Sequence, residues 1–140
     1  MGPAGPTPTE TAMSARNTGG QTLAVVPEGT AVPLSSEQIL RGFTANPGST
    51  SFTVPETGAY LIFYHVQVQE SAGPLTARAA GGGAVLPGSS SGRMGAGFYG
   101  ACFVADLTAG GRLEVQLAGD TEIVLLQDGS GAGLSAVRLS

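Results

Sequence analysis

Between Gly58 and Gly73 no glycine or proline interrupts the chain, and two rows of side chains alternate along it. In a strand, alternate residues face opposite sides. One row, Tyr60, Ile62, Tyr64, Val66 and Val68, is apolar throughout. The other, Leu61, Phe63, His65, Gln67 and Gln69, begins apolar and ends polar. A strand with one wet face would be polar along the whole second row. Residues 112–118 have that form, with Leu113, Val115 and Leu117 alternating with Arg112, Glu114 and Gln116. The first half of 60–69 therefore asks for cover on both sides, from a second sheet with its loops or from another copy of the molecule.

The rest of the chain falls into short apolar runs: 22–26, 32–34, 39–45, 51–54, 75–80, 97–107, 122–127 and 133–139 join the two above. Between them stand turn clusters such as Asn46-Pro47-Gly48, Gly81-Gly82-Gly83, Gly110-Gly111 and Asp128-Gly129. Ten short strands at this spacing predict an antiparallel, all-β sandwich. Ser35-x-x-Gln38 has the form of a capping box, but Gly42 follows too soon for more than one helical turn. Residues 9–20, polar and small, are expected to be a connector.

Composition sharpens this picture. Only 11% of the 140 residues are charged, against about 25% in ordinary soluble domains. A chain so poor in charge, with no apolar run near the ~18 residues of a membrane span, favours self-association. There is no Lys, six Arg are scattered, and the net charge is −4, which leaves nothing to neutralise a phosphate backbone and excludes nucleic acid as a partner. Cys102, the one cysteine, allows no internal disulfide and is expected to be buried as a small hydrophobe.

Three patterns imitate chemistry. Gly95-x-Gly97-x-x-Gly100 matches a dinucleotide fingerprint, which needs a helix to begin at its glycines, and here a strand continues instead. Gly88-x-Ser90-x-Gly92 matches a nucleophile elbow, but His65 is the only histidine and residues 89–91 have the composition of a flexible loop tip. Asp106, Asp120, Glu122 and Asp128 offer oxygen ligands of the kind calcium takes, without a ligand loop of known spacing. His65 alone makes no metal site and is expected to be packed or hydrogen-bonded. No nucleophile, base and oxyanion hole assemble, so the chain is expected to be no enzyme, with no cofactor and no catalytic or metal residue.

The run Phe52-Thr53-Val54-Pro55-Glu56-Thr57-Gly58-Ala59-Tyr60 resembles the signature that opens the central strand in the complement component q and tumour necrosis factor superfamily. Residues 107–113 are similar to that family's L-x-x-G-D-x-L hairpin, with Gly111 where Asp is usual, and 133–139 to its last strand. Asn17-Thr18-Gly19-Gly20 and Ala84-Val85-Leu86-Pro87-Gly88-Ser89 further resemble the C-terminal head of bacterial collagen-like surface glycoproteins of the BclA type. Ahead of the head, Gly2-Pro3-Ala4 and Gly5-Pro6-Thr7 are two G-x-y triplets. Ile62 replaces a frequent aromatic, and the complement members' calcium site has no recognisable counterpart.

The resemblance implies a ten-stranded jelly roll that forms a homotrimer through the outer face of its central strand. The interface would use Leu61, Phe63 and His65, with Val137 and Leu139 or the opposite row of the last strand. Residues 1–16 would then be the remnant of a collagen-like stalk with its linker, and 17–140 a trimerisation head that nucleates and caps the stalk. Its place would be extracellular, on a spore exosporium or bacterial surface, its partners itself and the stalk. The alternative on the same fold is a receptor- or glycan-binding module, a phage tail-fibre tip on a virion included, with a site on loops such as 89–95.

Overall fold

The structure, a computed structural model, describes residues 8–93, 95–127 and 129–140. After a 3-10 turn (Pro8–Glu10) come β1 (Ala12–Asn17), β2 (Thr22–Val25), β3 (Thr30–Ala31), β4 (Ser36–Arg41), β5 (Thr44–Ala45), β6 (Phe52–Thr53) and β7 (Gly58–Ser71). There follow β8 (Leu75–Gly81), β9 (Ala84–Val85), β10 (Ser91–Arg93), β11 (Gly97–Leu107), β12 (Arg112–Ala118), β13 (Thr121–Leu125) and β14 (Ala132–Arg138). They form two antiparallel seven-stranded sheets, a jelly-roll sandwich. In the first, β2-β13-β7-β14-β1-β4 lie side by side and β11 lines the other edge of β7; the second runs β10-β8-β12-β6-β5, with β3 on β12 and β9 on β8.

β7 organises the first sheet. One of its edges carries β11 along residues 58–68, and the other is divided between β14 at 60–66 and β13 at 68–71. The row Tyr60, Ile62, Tyr64, Val66 and Val68 points into the sandwich and is buried. It packs in one core with Leu75, Ala77 and Ala79 of β8 and Leu113, Val115 and Leu117 of β12. Two buried phenols keep a partner: the Tyr64 hydroxyl donates to the Ser89 carbonyl, and Tyr60 to the Glu56 carbonyl at 2.6 Å. Burial pushes Tyr64 up to about 12.

Turn chemistry sets the joints. Asn46 Oδ1 accepts from the amides of Thr50 and Ser51, closing the loop between β5 and β6. Gly82 and Gly83, both at positive φ, make the β8–β9 hairpin.

Several expectations are corrected. Residues 9–20 are no mere connector: β1 lies within them, inserted between β14 and β4 with Met13 and Ala15 in the core. Small residues were legible as linker only because the pattern at Met13, Ala15 and Asn17 is too short to register. Residues 35–38 form no helical turn. They enter β4, and Gln38 Nε2 donates to the Leu34 carbonyl and Ser49 Oγ rather than capping. Cys102 is exposed, because the parity of β11 aims Tyr99, Ala105 and Leu107 inward and Cys102 outward. Residues 89–91 are not a free tip. Ser89 is buried, its Oγ donating to the carbonyls of Leu86 and Ala79, and Ser91 starts β10. The two G-x-y triplets and Asp128 lie outside the described residues.

Candidate functional site: the outer face of the β7 sheet

The outer faces of the two sheets differ in kind. On the second, Arg78 Nε donates to Gln116 Oε1 at 2.9 Å, Gln116 donates to Glu114, and Arg112 is exposed beside them. On the first, the outward positions are Ile39 of β4, Leu61 and Phe63 of β7, Phe98 and Val104 of β11, and Leu139 just past β14, each 41–58% exposed. No described residue covers them. Exposed apolar areas of this size are found where proteins meet one another.

Register assembles the face in rungs. Val104, Leu61, Val137 and Ala12 lie level across β11, β7, β14 and β1. Cys102, Phe63, Ser135, Ser14 and Ile39 form the next rung, and Gly100, His65, Gly133 and Arg16 the third. Thus Leu61, Phe63, His65, Val137 and Leu139 share one face, and the opposite row of the last strand, Ala132, Leu134 and Ala136, is buried in the core.

His65 differs from its neighbours in being closed in. Its ring stacks on Phe98, with centroids 5.9 Å apart and planes 2° from parallel, and tilts against Phe63 at 6.1 Å. Nε2 lies 2.9 Å from Ser130 Oγ and 3.3 Å from the Ser130 carbonyl. Since Ser130 Oγ donates to the Ala132 carbonyl, it accepts from Nε2–H, which leaves Nδ1 bare. Burial pushes the imidazole below its ordinary 6.5; the Ser130 hydrogen bond opposes this and the Arg16 charge adds to it. Beside the ring, Ser14, Arg16, Phe63, Gly133 and Ser135 line a cavity of about 130 Å³.

Two glycines make the seat possible. A Cβ on Gly133 would fall 2.6 Å from His65 Cε1, and one on Gly100 would meet the Tyr64 carbonyl at 2.8 Å and the Phe98 ring at 3.1 Å. Gly100, the last glycine of the fingerprint-like motif, thus lets an aromatic ring cross its own strand, and the chain continues there as β11 rather than opening a helix. A glycine inside a strand signals such close approach, and this was the cue in the sequence for the Phe98–His65 stack.

The other candidates do not converge. Ser90 is exposed, and both hydrogen bonds of His65 go to Ser130. Among the described residues no three of His, Cys, Asp and Glu gather; Asp106 lies on β11, Asp120 in the turn between β12 and β13, and Glu122 on β13. A second, smaller cavity of about 90 Å³, lined by Val54, Gly81, Leu86, Asp106 and Leu107, holds a single carboxylate. No helix among the described residues is long and apolar enough to cross a membrane.

Solved structures share this architecture. The crystal structure of murine APRIL at pH 8.0 superposes with a TM-score of 0.71 at 18% identity, covering 91% of this chain and 98% of its own. Eiger TNF from S. frugiperda gives 0.67 at 17% identity, covering 92% and 91%. The chain is therefore similar in fold to tumour-necrosis-factor proteins. No curated protein matches it. The sequence itself matches the BclA C-terminal domain over residues 13–140, a span that takes in β2 to β14 and nearly all of β1. The chain belongs to the BclA C-terminal domain family.

Proposed function

We propose that this domain is a non-enzymatic trimerisation head, which joins three copies through the outer face of the β7 sheet and so nucleates and caps a collagen-like stalk on a spore exosporium or other bacterial surface. The observation that carries the proposal is the contrast between the two outer faces: on one, Arg78, Gln116 and Glu114 hydrogen-bond to one another, and on the other Ile39, Leu61, Phe63, Phe98, Val104 and Leu139 are exposed. The family, and a fold shared with tumour-necrosis-factor proteins, support it.

A triple helix must bring three chains into register before any contact rewards the ordering. A head that assembles on its own raises the local concentration of the three stalk ends to roughly millimolar. The chain enters the head beside its last strand, where the Arg138 amide donates to the Thr11 carbonyl at 3.0 Å, so each stalk would emerge at one end of the joining face. The triplets at Gly2 and Gly5 would be the final links of such a stalk.

Stalk nucleation is tested by placing a run of Gly-Pro-Pro triplets ahead of the head and following triple-helix refolding by circular dichroism. The head should accelerate refolding at least tenfold over the same triplets alone. Equal rates would remove the nucleating role.

A further inference from the structure

We propose that His65 is an acid-sensitive latch on the assembled head: a proton delivered to Nδ1 charges a ring held in an apolar seat on the joining face and loosens the trimer. The inference rests on the trimeric reading above and adds regulation to it.

The geometry gives the charged ring no counter-ion among the described residues, only the Ser130 hydrogen bond at Nε2 and the hydroxyls of Ser14 and Ser135 across the adjoining cavity. From β7 itself Phe63 faces it; from β11, Phe98 and Gly100; from β14, Gly133; from the loop before β14, Ser130. Among the described residues the one charge that reaches it is Arg16 of β1, a cation, tied to Glu37 of β4 across 3.9 Å. Nε2 already donates to Ser130, so the added proton sits on Nδ1, which lies 3.0 Å from where a Cβ on Gly133 would stand. No carboxylate among the described residues meets it there. A cation buried without an opposite charge either reopens its surroundings to water or is not formed. Packing a second copy against Leu61 and Phe63 would close the remaining access.

The sign follows from linkage. The folded ring titrates below the ordinary 6.5, so between those two values the unfolded chain binds more protons than the folded one; further burial of the ring by a second copy would carry the same sign over to dissociation. Stability from this site is complete above pH 6.5 and is lost as pH falls below it. His65 is the chain's only histidine, which isolates the effect near neutrality.

The test is sedimentation of the full chain in a dilution series at pH 7.5 and pH 5.5, beside His65→Phe. The wild type should dissociate at a concentration at least about tenfold higher at pH 5.5, and His65→Phe should change less than about twofold. A trimer equally tight at both pH values, or a Phe variant with the same shift, would overturn the latch while leaving the trimer intact. A monomer at pH 7.5 would instead overturn the trimer. If His65→Phe does not fold, the Cε1 proton of the wild-type histidine decides by NMR: a midpoint below 6.5 that falls further as protein concentration rises supports the latch, and one at or above 6.5 contradicts it.

Discussion

Gly133 of β14 stands directly across from His65 of β7, so close that a methyl group on the glycine would lie 2.6 Å from the imidazole Cε1. The ring cannot tilt away freely, because Phe98 backs its other face and Ser130 holds Nε2. Gly133→Ala should therefore cost about 1–3 kcal/mol, the usual range for overpacking. Thermal unfolding measures the loss, and the upfield ring-current shift of the His65 Cε1 proton should shrink as the stack on Phe98 opens.

Phe63 lies at the middle of the bare face, between Cys102 and Ser135. Phe63→Asp should abolish the trimer, because a carboxylate there would be buried without a partner against two other copies. Arg112→Glu, on the polar face of the opposite sheet, should leave assembly unchanged. Sedimentation velocity distinguishes the two; a Phe63→Asp chain that still sediments as a trimer would place the joining face elsewhere.

Tyr64 is fully buried and donates to the Ser89 carbonyl, and its phenol is pushed from 10 up to about 12. Between those values the unfolded chain releases a proton that the folded chain keeps, so stability falls as pH rises through that window. Two units correspond to about 3 kcal/mol. Denaturant unfolding at pH 10 and pH 12 should show a loss of that order, and Tyr64→Phe should flatten the dependence while costing about 1–3 kcal/mol at neutral pH for the carbonyl left unpaired.

Gly58, within the turn that launches β7, faces the end of the chain: a Cβ there would lie 2.1 Å from the Ser140 carbonyl and 2.8 Å from Arg138 Nε. Arg138 is meanwhile clasped by Glu56 at 2.7 Å and the Thr57 carbonyl at 3.1 Å. Gly58→Ala should push the last residues off Ala59 and cost about 1–3 kcal/mol, with faster amide exchange at Leu139, whose amide bonds the Ala59 carbonyl. Glu56→Gln, at a largely exposed ion pair, should cost less than about 1 kcal/mol.

The sandwich was legible because most of its strands alternate cleanly: 112–118 coincides with β12, and the inward row of β7 is the buried row. The bare face was legible at Leu61 and Phe63, where apolar residues occupy positions that a wet strand would fill with polar ones. What sequence left open was the row of the last strand, since each row mixes apolar and polar residues, Ser135, Val137 and Leu139 on one and Leu134, Ala136 and Arg138 on the other; only the register of β14 on β7 sets Val137 beside Leu61. β1 escaped notice because its inward positions, Met13, Ala15 and Asn17, are separated by Ser14 and Arg16 in a stretch with linker composition. Phe98 and Ile39 were missed as members of the face because they enter it from β11 and β4 by pairing, which periodicity within a single run does not carry.

The mass of the intact chain in solution, by light scattering at micromolar concentration and neutral pH, bears most directly on the central claim. Three copies joined through Leu61, Phe63 and their neighbours predict three times the 13.9 kDa of one chain. A monodisperse particle of 13.9 kDa, soluble with that face open to water, would contradict it.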